Sequence, residues 1–474
     1  MGVYYWNREV LTMGNRFLKL LALLMALSLL ATGLAFAEEG LEIDGAIETE
    51  QVGKAGTVKL DIDGAALVSE EPAAAAPNAT DGVKINSTNF PDKAFRAYVK
   101  KTYDTNGDGR LSPDEANGVT EMFIGKESED SEDRERFTYV KCENIKGIEF
   151  FPNLSVLIML RIPLKTLDVG KNKNLDMLIC CFTDVKKVDV SRNTNLTELN
   201  IGTNKVSSLT LGKLDRLERL TCDTNSLTSL DVSKCPALNY LQCNTNKLKE
   251  LNIGRNTGLE TLLCQENQLS KLDVTKNTRL IELDCSDNRL TKLNVTKNTV
   301  LKQLQCNGNK LTSLGVKNNK SLELLHCWGN QLSKLDVSKN TKLRELRFQY
   351  NRVSKLDISK NTALTNLNCS GNQLKKLDTG KNTRLVQINA WDNKLTSLDV
   401  SKNPKLIYLF TYGNSIKKID LKNCKTLRSY LKNKVFEEDE FIAWSAEGDS
   451  DLWGLGIDYA TTLTSGSKVL YQGR

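Results

Sequence analysis

The chain of 474 residues holds one histidine, His326. It stands beside Cys327, and neighbours on a strand point to opposite faces, so the two cannot form a Cys–His catalytic pair. G-x-S-x-G, H-E-x-x-H and phosphate-loop motifs are all missing. The chain therefore reads as a non-enzyme. Beyond the N-terminus no apolar run is long enough to cross a bilayer. No L-P-x-T-G sorting signal and no cell-wall-binding repeat is evident, so retention at a surface is left open.

The one long apolar run lies at the start. Arg16 and Lys19 precede LLALLMALSLLATGLAFA, which ends in Ala35-Phe36-Ala37 ahead of Glu38-Glu39. Residues 1–37 read as a secretory signal peptide, with Met13 a well-placed start. A membrane anchor is the alternative. No lipobox cysteine stands at the cleavage point. The chain is expected to be secreted, extracellular or cell-surface associated, and monomeric. Residues 38–83, which include SEEPAAAAPNAT, read as a flexible spacer.

Charge divides the remainder. Residues 38–153 carry 13 basic and 25 acidic side chains; residues 154–426 carry 44 and 24; residues 427–474 carry 5 and 8. An acidic front is joined to a basic middle. Such asymmetry raises nucleic acid or an anionic surface as partners. Nucleic acid is set aside for an exported chain. Lys and Arg recur at turn and convex-side places, often near Asp, as in Lys334, Lys339 and Asp336. That reads first as a solvated face of mixed charge. Contact with an anionic wall polymer or glycan is the functional alternative.

From Leu154 to Thr426 the chain divides into thirteen blocks of 21 residues with no insertion. Apolar residues or Asn fall at places 1, 4, 6, 9, 11, 14, 16 and 19. In one block these are Leu280, Leu283, Cys285, Asn288, Leu290, Leu293, Val295 and Asn298. A helix would need spacings of three and four in alternation, which neither half shows. Both halves are expected to be short extended segments joined by Asn-bearing turns. Place 9 is Asn from Asn204 to Asn414, where a side-chain amide can satisfy backbone groups at a buried bend. Stacked turns about 4.8 Å apart give a solenoid roughly 60 Å long whose ends need caps.

The half-repeat L-x-x-L-x-C-x-x-N-x-L resembles the leucine-rich repeat. The 21-residue, cysteine-bearing form resembles that of internalin J-like bacterial surface proteins. The match weakens at Ile162 and Thr183, which replace Asn in the first two blocks. The resemblance implies a right-handed, mostly β repeat solenoid with extended segments on both sides. It also implies an exported protein-binding scaffold, often an adhesin. It names no ligand. Residues 127–153 lead into the solenoid, and residues 427–474 are expected to close it with strands.

Place 6 holds Cys180, Cys222, Cys243, Cys264, Cys285, Cys306, Cys327 and Cys369, and elsewhere Ile201, Phe348 and Ala390. Exchange with apolar residues turns the column inward. Exported cysteines commonly form disulfides. Stacked strands, however, hold like side chains about 4.8 Å apart, beyond the usual Cβ separation of about 3.5–4.5 Å in a disulfide. A thiol also packs as a small hydrophobe. A free, buried thiol ladder is expected, as the resemblance also implies. Cys235 and Cys424 take place 19 as turn residues, while Cys142 and Cys181 stand outside the pattern.

Residues 84–126 carry DTNGDGRLSPDE after an apolar helix pattern. Asp104, Asn106 and Asp108 occupy places 1, 3 and 5 of a twelve-residue loop. Gly109 is at place 6, Arg110 at 7, Ser112 at 9 and Glu115 at 12. This resembles an EF-hand calcium loop, with hard oxygen ligands suited to Ca²⁺ and Arg110 offering its carbonyl. A metal-free turn is the alternative. With a single loop, calcium is read as a staple for a small helical N-terminal cap.

By the same resemblance, places 3, 5 and 7, and sometimes 8, face out from a concave sheet. Late blocks put His326, Trp328, Glu345, Arg347, Gln349, Tyr350, Trp391, Tyr408, Phe410 and Tyr412 there. Exposed aromatics beside Arg are the stuff of binding hot spots. The expected partner face comprises His326, Trp328, Arg347, Tyr350, Trp391, Tyr408, Phe410 and Tyr412, and its ligand is a protein or glycan. The C-terminal segment could cover the last three. In the early blocks Val156, Ile158, Met177 and Ile179 also face outward, where the front cap would cover them. The other readings are a binder of anionic surface polymer through the basic solenoid, or an accessory module of a hydrolase.

Overall fold

The computed structural model describes residues 82–126, 137–431, 455–457 and 461–471. The signal-peptide segment lies outside them, as do all but the last two residues of the spacer.

Each of the thirteen blocks starts a short strand at place 3, running to place 7 in the first two blocks and to place 5 in the rest, from Val156–Leu160 to Tyr408–Phe410. These strands pair in parallel, one block to the next, with like places opposite: Leu283 meets Leu304 and Leu304 meets Leu325. Glu121–Gly125 adds one strand before the first block, and Leu455–Gly456 adds one after the last. The result is a fifteen-stranded sheet. The sequence pattern explains this shape. Every block buries Leu at place 1, Leu or, once, Ile388 at place 4, and an apolar residue at place 11, and 21 residues return the chain to the same place one turn on.

On the opposite side the extended segments pair less regularly. Among the described residues, only Lys187–Asp189 with Ser208–Thr210, and Lys418–Asp420 with Thr462–Ser465, form strand pairs there. Elsewhere short turns replace the ladder. Place 15 carries Asp or Asn in eleven blocks, and its side chain accepts the N–H two residues later, as Asp336 Oδ1 does from Ser338 at 3.0 Å; Asp189 and Asp420 do the same inside the paired strands.

Two columns of Asn lock the turns. At place 9, Asn288 donates to the carbonyl of Cys264 one turn back, and its Oδ1 accepts the N–H of Leu269 at 2.9 Å. At place 19, Asn298 donates to the carbonyls of Val274 and Asn277 at 3.0 and 2.8 Å. Cys424 at the same place is fully buried, and its thiol donates to the carbonyl of Val400, standing in for an amide. Cys235 is buried as well. All twelve cysteines are unpaired and buried. Burial pushes the thiols of Cys180, Cys243, Cys327 and Cys369 up to about 12.

A third column is absent from the sequence reading. Place 8 has positive φ in every block, between 48° and 63° at Asp392 and Gly329, for example, and 66° at Gly413. Four blocks fill it with Gly (308, 329, 371 and 413) and nine with other residues. The αL conformation turns the chain off the strand toward the place-9 Asn. It costs a residue with a Cβ about 1–2 kcal/mol. The inter-turn bonds made around it, such as Asp287 N–H to the carbonyl of Asn307 at 2.9 Å, offset that cost.

At the front, Lys93–Tyr103 forms a helix capped by Asp92, whose carboxylate accepts the N–H groups of Ala94 and Phe95. Its buried Phe95, Tyr98 and Val99 face Phe90 and the solenoid lead-in. Ile158, Met177 and Ile179, which face outward by their place in the repeat, are buried, and Val156 is half-buried. At the back, Lys425–Leu431 is helical, and Thr462–Ser465 pairs with Lys468–Tyr471. Most of residues 432–461 lie outside the described residues.

Candidate functional site

The fifteen-stranded sheet presents like places of consecutive blocks side by side. The late blocks divide into two groups. In the first, register sets His326 opposite Arg347. Glu345 lies between them: His326 Nε2 is 2.8 Å from Glu345 Oε1, and Arg347 Nε donates to the same oxygen at 2.6 Å. The other imidazole nitrogen is 3.3 Å from Gln305 Oε1. Burial pushes the Glu345 carboxyl up, but the His326 bond and the Arg347 charge outweigh it and leave it below its ordinary value. The charges of this group are therefore largely engaged with one another, and Arg347 is less available to a partner than its place in the repeat suggests.

In the second group the rings of Tyr350, Trp391 and Tyr412 touch in series. Tyr350 meets Trp391 edge to face, with centroids 5.5 Å apart. Trp391 lies nearly parallel to Tyr412 at 5.3 Å and 7°. Tyr350 reaches across because it stands at the αL place 8 and the next block has Gly371 there; a Cβ on Gly371 would come within 2.8 Å of the tyrosine ring. Tyr350 is 54% exposed, one of the few large apolar side chains open to solvent.

The remaining expected residues fall around these groups. Trp328 is half-buried and forms no aromatic pair among the described residues. Tyr408 and Phe410 lie on the last strand of the repeat, half-buried, and Phe410 pairs with Gly456 in the added strand. A Cβ on Gly456 would meet the rings of Phe410 and Tyr412 at 2.8 and 3.1 Å, so this strand runs close against both.

The early blocks of the sheet carry polar side chains outside the expected partner face. The Arg219 guanidinium lies 4.0 Å over the Tyr240 ring, and Tyr240 donates to Gln242. Burial raises the carboxyls of Glu198, Asp223, Glu282 and Asp284 above their ordinary values. Their signal in the sequence was acidic residues at places 3, 5 and 7 of consecutive turns.

The loop from Asp104 to Glu115 is wound by its own side chains. Asp104 Oδ2 accepts the N–H of Gly109 at 3.0 Å, Asn106 Oδ1 that of Asp108 at 2.9 Å, and Asp108 Oδ1 that of Arg110 at 2.7 Å. Gly107 and Gly109 have φ of 73° and 77°. Asp104 is buried, and its Oδ1 has no hydrogen-bond partner. A buried carboxylate oxygen without a donor fits a cation ligand. Glu115 is turned elsewhere. It accepts from Thr105 at 2.7 Å and from the N–H and hydroxyl of Ser112 at 2.9 Å, as part of the capping box of helix Pro113–Asn117. The desolvation that raises its carboxyl is outweighed by these bonds, which hold it at about 2. The described residues thus contain no ready three-carboxylate cluster, and Glu115 must trade bonds to reach an ion. In the first half of the loop Asp104 Oδ1 is the oxygen left over for a cation, while Asn106 and Asp108 already accept hydrogen bonds from within the loop.

Solved structures place this solenoid. The functional domain of InlJ from Listeria monocytogenes, described as including a cysteine ladder, is 30% identical, with 73% of this chain and 74% of that one covered at a TM-score of 0.56. The chain belongs to the internalin-like leucine-rich repeat proteins. A leucine-rich repeat protein of Leptospira interrogans is 26% identical over 60% of this chain and 78% of its own, at a TM-score of 0.54. The internalin InlF of Listeria monocytogenes, 22% identical over 74% and 96% at 0.56, shares the fold. No family model and no curated protein sequence matches the chain. The cysteine column of this internalin-like solenoid thus has a counterpart in a 30% identical relative. Among its described residues, no helix is long and apolar enough to cross a membrane.

Proposed function

We propose that this internalin-like chain is an exported, non-enzymatic scaffold that binds a protein partner, or a glycan, on the late concave face. The observation that carries the reading is the contiguous series Tyr350, Trp391 and Tyr412, with Tyr350 54% exposed on a sheet whose every strand is pinned to its neighbours. Rigid aromatics lose little entropy on binding and dominate interface energetics. Fold and family support a partner-binding scaffold; an adhesin role is the extension proposed here. In the same reading Asp104, Asn106, Asp108, the Arg110 carbonyl, Ser112 and Glu115 hold one Ca²⁺ that stiffens the front cap.

The test begins with a pull-down from host and self surface extracts using purified protein. Trp328→Ala and Tyr350→Ala should each weaken binding of the captured partner by about 2 kcal/mol or more, with unfolding curves unchanged. Full affinity in both variants places the binding face elsewhere.

A further inference from the structure

One edge of the solenoid carries a charge pattern that the concave face does not use. Place 18 is Lys or Arg in eleven blocks, from Lys171 to Lys402. In the two blocks where it is Asn, Asn318 and Asn423, the preceding residue is Lys317 or Lys422. Every turn therefore contributes a cation at the same corner, and all thirteen are exposed. Over places 17 to 21 the thirteen blocks hold 21 Lys and Arg against one acid, Asp215. From Leu301 onward the strip has no acid at all.

The corner is held in register. Asn340, next to Lys339, donates to the carbonyls of Val316 and Asn319 at 2.9 and 2.8 Å, and the place-19 amides repeat these bonds along the column. Asp stands at place 15 in nine blocks with one oxygen on the backbone N–H of place 17, as Asp357 does with Ser359 and Asp399 with Ser401; these carboxylates stay charged and offset part of the row's charge. Ion pairs within 4.0 Å engage two of the thirteen cations among the described residues: Lys213 with Asp215, and Lys317 with Asp336. The rest form a row of charges about 4.8 Å apart and roughly 60 Å long, set by the stacking of parallel strands.

The geometry points to a second binding surface, independent of the concave face, for a linear polyanion bearing one negative charge about every 5 Å. Like charges fixed one turn apart repel, and an extended chain of phosphodiesters or sulfates laid along them relieves that repulsion while releasing counterions. A small anion meets one or two cations and gains little. A chain spanning ten turns meets them all. Exposed single ion pairs are worth about 0–1 kcal/mol each, so affinity must come from number and register.

The test measures binding of the full exported chain to poly(glycerol phosphate), to heparin, to unsulfated dextran and to inorganic phosphate. Binding to at least one polyanion, falling steeply with salt, is expected, with little for dextran or phosphate; the two polymers distinguish a phosphodiester from a sulfated glycan as source. The triple variant Lys339→Glu, Lys360→Glu, Lys381→Glu should lose affinity about tenfold or more. The triple variant Lys334→Glu, Lys355→Glu, Lys376→Glu, which makes the same change in net charge at exposed place-13 lysines, should lose less than about threefold. Lys→Gln at the three row positions repeats the test if the reversal disturbs folding, as melting curves will show. Tyr350→Ala should leave polyanion binding intact, which separates this surface from the concave one. Binding to neither polymer, or equal losses in the two triple variants, overturns the row as a site.

Discussion

The Oδ1 atom of Asn309 accepts the backbone N–H of Leu290, nineteen residues earlier, at 2.9 Å. Its amide nitrogen donates at the same time to Cys285 and Cys306, in the previous turn and its own. One side chain thus fastens two turns. In Asn309→Leu the N–H of Leu290 is buried without an acceptor, which costs about 1–3 kcal/mol. Urea unfolding should show that loss with an unchanged melting transition shape. An equally stable variant would mean that water or a shifted backbone replaces the amide.

The αL column predicts opposite effects for opposite substitutions. At Gly329, φ is 63° and a Cβ would meet nothing closer than 3.4 Å, so Gly329→Ala tests conformation alone. It should destabilise by about 1 kcal/mol. Glu266→Gly, at φ 53°, should cost little or gain stability despite the lost side chain. Thermal melts of the two variants decide it: a stabilising Gly329→Ala removes the conformational account.

The thiol column makes the fold sensitive to alkali. A thiol ordinarily near 9.0 is pushed up to about 12 at Cys180, Cys243, Cys327 and Cys369 by burial. The folded state holds these protons more tightly than the unfolded one. The stability this contributes is fully present below pH 9 and is lost as pH rises from 9 toward 12. Each thiol contributes a slope of about 1.4 kcal/mol per pH unit across that window. Denaturant midpoints measured from pH 7 to 11 should be flat at first and then fall steeply. The Cys→Val series should flatten the fall, and a curve unchanged by it would sink the explanation. In the same protein a thiol reagent should label no column cysteine near neutral pH until denaturant is added.

Calcium should raise the melting temperature of the front cap. Asp104→Ala with Glu115→Ala should abolish that gain, though Glu115→Ala alone also removes a helix cap worth about 1 kcal/mol. Asp104→Asn is therefore the cleaner variant: it keeps an acceptor for Gly109 and removes the charge. Calorimetry with Ca²⁺ and with chelator gives the answer, and identical curves for the unmutated protein would show that the ion has no part in the fold.

Much of this architecture was legible because a period of 21 is a strong signal. Leu at places 1 and 4 and Asn at place 9 gave the turns, their inward face and the closing of bends by side-chain amides. The αL place 8 was not legible, since Thr203, Glu266, Tyr350 and Gly308 share no chemistry. Their common conformation is imposed by the neighbouring turns. The pairing of Arg347 with Glu345 was also hidden, because place 3 and place 5 of one block look alike as outward positions until their rotamers are seen. The nesting of Tyr350 over Gly371 needs two blocks read together. The second half of each block repeats the pattern of the first, but that pattern does not show where its extended segments pair; among the described residues they do so at Lys187–Asp189 with Ser208–Thr210 and at Lys418–Asp420 with Thr462–Ser465.

The Asn columns join residues 19, 21 and 24 apart, never 18 or 20. A loss of twenty residues from the middle would set the amides whose partners lie across the junction against the wrong carbonyls. A loss of twenty-one would leave each bond with an equivalent partner. The length of this molecule is therefore counted in whole turns. Its reach, and the number of ligand-facing positions it displays, can change between relatives by one turn at a time without any change in how a turn is built.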